Sequence, residues 1–144
     1  MPLQRLPDWP DRLHRMIESA AEVPFQLGTF DCCLHVCNCI RTMTVGAPDL
    51  AANYRGKYSD EAGAAQIYGA SLEAFIANFA AELGCPEVPV TFARRGDVVF
   101  VDNGTPQGAI GVVSTDGRFA SCASDKGLAL VRLHRWKRAW RIGA

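Results

Sequence analysis

The feature that most constrains this chain is the change of hydrophobic period at Pro86. Before it, apolar residues recur at helical spacing. Trp9, Leu13, Met16, Ile17 and Ala20 predict a helix over about residues 8–22, with Pro10 suited to its first turn and Pro24 at its end. Asp31 is placed to N-cap a second helix that begins at Cys32, runs to about Met43 and is closed by Gly46. A polar loop over residues 47–58 and a helical piece near residues 60–68 follow. Leu72, Phe75, Ile76, Phe79, Ala80 and Leu83 then mark a stronger helix over residues 71–83. After Pro86 and Pro89 the segments are β-branched, aromatic and punctuated by glycine. Strands are expected at residues 97–101, 109–114, 118–123 and 128–133, with Asp116-Gly117 the clearest hairpin turn and Asn103-Gly104 and Lys126-Gly127 as further turns. Residues 136–142 fit either a short helix or an edge strand. Helices first and antiparallel strands second describe an α+β domain. Its 144 residues form one domain that can bury roughly 68–70% of its unfolded surface.

Fifteen basic residues balance fifteen acidic ones, so there is no overall pull toward nucleic acid or an anionic membrane. From Lys126 onward, however, six basic residues stand with no acid, which leaves the preceding part with a charge of −6. Six cysteines could suggest a disulfide framework, but Cys32, Cys33, Cys37 and Cys39 crowd together, so they read as reduced thiols. The N-terminus lacks a basic region followed by an apolar stretch, and no apolar run approaches the roughly 20 residues of a membrane span. These features point to a soluble protein made in a reducing cytoplasm, without a signal peptide.

Chemistry is expected first at Asp31-Cys32. A thiol at a helix N-terminus meets unsatisfied backbone N–H groups and the positive end of the helix dipole, which favour the thiolate. The alternative is that Cys32 and Cys33 are small buried hydrophobes, as free cysteines often are. Of the three histidines, His35 lies one turn along from Cys32 and reads as a surface or packing residue. His14 reads as solvated beside Arg12 and Arg15, and nothing in the spacing of His134 brings it to a cleft.

Thr29-Phe30-Asp31-Cys32-Cys33-Leu34, then Arg95-Gly96-Asp97-Val98-Val99-Phe100-Val101, then Gly108-Ala109-Ile110-Gly111-Val112-Val113 together resemble the NlpC-type branch of the papain-like cysteine peptidases. Within that branch the chain is most similar to a phage and prophage family. Asp-Cys-Cys, Arg55-Gly56-Lys57-Tyr58 and Arg138-Ala139-Trp140-Arg141 carry this likeness, and the family is similar to tail-assembly components. The resemblance implies a papain-like fold with N-terminal helices on a C-terminal antiparallel sheet, and Cys32 as nucleophile. It also places Ala109 where the general-base histidine belongs and Ser121 at or beside the third catalytic position. Alanine accepts no proton, so acyl transfer would lack a contribution of roughly 10²–10⁴-fold. The expectation is a structural or assembly component of a phage tail tip, located in the virion and assembled in the host cytoplasm, with a degenerate site. The competing expectation is a cysteine hydrolase that cuts peptidoglycan stem peptides.

Two further constellations remain. Cys32, His35 and Cys39 share a helical stripe, with Cys33 and Cys37 beside it, and Cys85 or Cys122 could add a fourth metal ligand. The spacing matches no common zinc or iron–sulfur pattern, so packing is favoured and no cofactor or metal is expected. Trp136 and Trp140 among Arg138, Arg141 and other cations suggest a docking element for other tail-tip proteins, since tryptophan and arginine dominate interface hot spots. Nucleic acid and a membrane span are not expected as partners.

Overall fold

A computed structural model describes residues 3–46, 49–69 and 71–143. The opening of the expected 47–58 loop and both chain termini lie outside the described residues. The architecture is α+β, with four α-helices and a six-stranded antiparallel sheet. The helices are α1 (Trp9–Ala20), α2 (Cys32–Met43), α3 (Glu61–Tyr68) and α4 (Leu72–Glu82). The strands are β1 (Glu87–Val88), β2 (Val98–Val101), β3 (Ala109–Val113), β4 (Phe119–Ser124), β5 (Gly127–Arg132) and β6 (Trp136–Trp140). Within the expected loop, Leu50–Asn53 form a 3₁₀ turn that buries Leu50 and Ala51.

Capping fixes where the helices begin. The side chains of Asp31, Asp60 and Ser71 accept from the backbone N–H groups of Leu34, Gly63 and Ala74, satisfying donors that the first turn leaves free. Helix α2 is buried on most sides. Leu34, Val36, Ile40 and Met43 are core residues, and Cys33, Cys37 and Cys39 fill the spaces between them as small apolar side chains. Val98, Phe100, Ile110, Val112 and Trp140 meet this helix from one face of the sheet. On the other face Val99, Val101, Ala109, Val113, Ala120, Cys122, Trp136 and Ala139 form a second cluster.

The strand order is β1-β6-β2-β3-β4-β5, every neighbouring pair antiparallel. The C-terminal segment is thus a strand, but an interior one. β6 is inserted between β1 and β2 and is not the edge that its chain-end position suggests. Its pairing with β2 shifts register between Phe100, opposite Arg138, and Val101, opposite Trp136, so Lys137 is the extra residue of a bulge. The bulge breaks the period of 2. Trp136 enters the second cluster, where its indole Nε1 donates to the Val131 carbonyl at 2.9 Å, while Trp140 faces the helices.

Candidate functional site

Asp31 holds the start of α2 through three donors. Gly28 N and Leu34 N each lie 3.0 Å from its carboxylate, and the Tyr58 hydroxyl donates to Oδ2. Tyr58 in turn shares a hydrogen bond with the Tyr68 hydroxyl. Gly28 has φ +80°, and a Cβ there would lie 1.8 Å from the Tyr58 carbonyl oxygen, so only glycine allows this approach. The Gly56 amide also donates to the Gly28 carbonyl at 2.8 Å. The Arg55-Gly56-Lys57-Tyr58 stretch therefore closes over the cap of the helix that carries Cys32. Sequence reasoning noticed that stretch but gave it no task; the polar partner that a buried aspartate requires was the available signal.

Cys32 keeps part of its surface exposed, whereas the other five cysteines are buried, and all six thiols are free. Burial pushes the Cys32 thiol up to about 12, against the opposing pull of the Ile110 backbone amide and with a further upward push from the neighbouring Asp31 carboxylate. The helix N-terminus is in place, but its preference for thiolate is outweighed. Cys33, beside Cys37, and Cys39, in the interior, are pushed upward as well, Cys33 chiefly by its hydrogen bond with Cys37 and Cys39 by burial. These thiols are protonated packing groups.

The expected catalytic partners do not converge on Cys32. Ala109, next to Ile110 at the start of β3, is buried in the cluster with Val99, Val101 and Trp136. It offers no proton acceptor. Ser121 is fully buried on β4 and faces α2, where its Oγ lies 2.9 Å from Nε2 of His35. His35 is itself fully buried, so of the two expectations for it packing holds and surface does not. Burial lowers its pKa to about 4, which leaves a neutral imidazole at neutral pH. Cys39 lies beside the ring, its sulfur 3.8 Å from Nε2. The only histidine on this helix thus points along the interior to Ser121. His14 is exposed, 2.8 Å from Glu18, and His134 is exposed beyond β5. No group of three or more His, Cys, Asp or Glu side chains suited to a metal ion occurs among the described residues.

Asp97 provides the densest electrostatic arrangement. It is completely buried at the start of β2 and accepts from Arg5 Nη2 at 2.8 Å, Arg141 Nε at 3.0 Å, Arg94 N at 2.9 Å and Ile142 N at 3.2 Å. Arg5 also donates to the carbonyls of Ile142 and Arg95, each at 2.6 Å. Burial lowers the Arg5 pKa, and the Asp97 carboxylate opposes the shift. The Gly-Asp segment is thereby a clasp for both ends of the chain.

The C-terminal residues expected to dock a partner are spent inside the molecule. Trp136 and Trp140 are buried, and Arg141 bonds to Asp97 and to the Phe92 carbonyl. Arg138 makes a two-pronged contact with Glu87 at 2.7 and 3.0 Å, reaches Glu73 on α4 at 3.2 Å, and stacks 5.1 Å over the Trp140 ring. The carboxylates raise its pKa further. These four side chains hold β6 in the sheet.

The motifs thus fall into two hydrogen-bonded clusters, Asp31 with Gly28 and Tyr58 at the start of α2, and Asp97 with Arg5 and Arg141 beside β2. No curated protein matches the chain. Residues 4–142 match the model of the family described as a domain of unknown function (DUF6950), and the chain belongs to that family.

Proposed function

We propose that this chain is a non-catalytic domain of the NlpC-type, papain-like kind, serving as a structural or assembly component of a phage or prophage tail tip. In this reading it is built in the host cytoplasm, carried in the virion and bound to other tail-tip proteins. One observation supports an absence of catalysis: the histidine on the helix that carries Cys32, His35, spends its Nε2 on Ser121. The resemblance puts Ala109, whose side chain has no proton acceptor, at the histidine position. Without a proton acceptor the thiol stays protonated, and without its conjugate acid the leaving amine is not protonated; together these steps are worth roughly 10²–10⁴-fold. The structural role is supported by the use of the resemblance-bearing motifs, whose side chains cap α2, clasp the chain ends and lock β6. No described helix is long and apolar enough to cross a membrane.

The test has two arms. The purified protein should release no stem peptides from peptidoglycan, and a phage carrying Cys32→Ala in this chain should assemble tails and form plaques as the parent does, while deletion of the chain blocks tail completion. Peptide release that Cys32→Ala abolishes would establish the hydrolase instead. Complete tails formed without the chain would overturn the structural role.

A further inference from the structure

Among the described residues, the sheet leaves one long edge unpaired. At one side it ends in β1, only two residues long; at the other it ends in β5, which runs for six residues and pairs with β4 alone. β5 lacks most of the usual protections of an edge, its charges being confined to its ends at Lys126 and Arg132. It contains no proline, and its register with β4 runs without a bulge from Gly127 to Arg132. Leu130 pairs with Ser121, whose side chain faces α2, so Leu128, Leu130 and Arg132 share the helix-facing side of the sheet. The helical layer does not reach Leu130, which is 56% exposed; Leu133, just beyond the strand, is 44% exposed.

The charge around this edge is one-sided. From residue 125 to 137 there are four basic side chains, Lys126, Arg132, Arg135 and Lys137, and a single carboxylate, Asp125 in the turn. Arg135 and Lys137 are exposed, and Arg132 is held with its guanidinium 5.5 Å from the Phe119 ring centre. This distribution selects the occupant. A second copy pairing antiparallel about Ala129 would set Lys126 opposite the second copy's Arg132 at both ends, and like charges directly opposite are destabilising. An acidic strand meets the opposite situation.

We propose that the open edge of β5 binds an extended acidic segment of a partner protein, which adds to the sheet as a further strand. Backbone hydrogen bonds supply affinity, Leu128 and Leu130 receive apolar side chains on the helix-facing side, and Lys126 and Arg132 fix polarity and register. Cys32 takes no part in this contact, so the edge stands or falls independently of the function proposed above.

The probe is a synthetic peptide of alternating glutamate with valine and leucine, acetylated and amidated, titrated into isotopically labelled protein and followed by NMR. Saturable binding is expected, with shifts concentrated in the amides of β5 and β4. Affinity should fall about tenfold or more in Leu130→Glu and in Lys126→Glu, both exposed positions whose retained fold is checked by circular dichroism. A peptide N-methylated along one edge should not bind. Absence of binding, equal binding of the N-methylated or an all-lysine counterpart, or shifts centred elsewhere would each overturn the proposal. Self-association that Leu130→Glu abolishes would assign the edge to a second copy and overturn it too.

Discussion

The His35–Ser121 pair is a fully buried polar contact between α2 and β4, and the protonation state of its imidazole carries a stability consequence. The unfolded imidazole binds its proton near pH 6.5, whereas the folded one does so only near pH 4. Between these values the unfolded state binds more protons, so stability rises with pH across the window and is flat above it. The full difference is about 3 kcal/mol. Denaturant unfolding should show wild type losing up to about that much more than His35→Gln between pH 7 and pH 4, since glutamine keeps a partner for Ser121 but has no proton to gain. An equal loss in both would refute the assignment. At this scale the start of α2 was legible in sequence, because an aspartate before an apolar run has a local reason to cap. What surrounds Cys32 was not legible. The rise of its pKa comes chiefly from burial within the tertiary fold, which the Ile110 amide, far along the chain, opposes.

Strand β3 approaches β4 through Gly111, whose φ is ordinary but whose position is crowded. A Cβ there would lie 2.4 Å from the Cys122 sulfur and 2.6 Å from the Ser121 carbonyl oxygen. The second contact is backbone, so it cannot be relieved by a rotamer change. Gly111→Ala should therefore separate the strands, weaken the seat of Ser121 against His35 and cost about 1–3 kcal/mol in unfolding experiments. Unchanged stability would show that the ladder can give at this point. The helices and strands β2 to β5 followed from period and turn chemistry, each a local signal. Other features had no such signal. β1 is two residues between prolines, the 3₁₀ turn at Leu50–Asn53 has no periodicity to display, and the bulge at Lys137 moves Trp136 to the face opposite Trp140. Strict alternation would have placed both tryptophans together, which is why they read as one exposed, partner-seeking stripe.

For the whole molecule, the opposite charges of the two parts, −6 and +6, are matched in part within the chain. Arg138 and Arg141, two of the six basic residues from Lys126 onward, pair with Glu73, Glu87 and Asp97 across the fold. The surface pairs of Arg138 are worth only about 0–1 kcal/mol each. Asp97 differs because it is buried and shared by both ends of the chain. Asp97→Ala would strand Arg5, whose side chain is 8% exposed, without its carboxylate. A loss of about 3–5 kcal/mol is expected, read as an earlier denaturant midpoint, with Arg141→Ala costing less because Arg141 is nearer to solvent. Equal, small effects would mean that the clasp is dispensable. Such long-range closure was beyond sequence reasoning, since nothing local to Arg5 indicates a partner on β2. It accounts for why the Gly-Asp segment and the terminal arginine occur together in one framework.

The proposed reading turns on Cys32, which the resemblance puts at a nucleophile's position, having no base to ionise it. Because the other five thiols are buried, the pH dependence of iodoacetamide alkylation in the native protein reports Cys32 most directly. The account predicts slow alkylation whose rate keeps rising above pH 9, past the range of a free thiol near 8.5, with the labelled residue identified as Cys32 by mass spectrometry. A rate that plateaus with a midpoint below about pH 7, and that disappears in Cys32→Ala, would reveal an activated thiolate and contradict it.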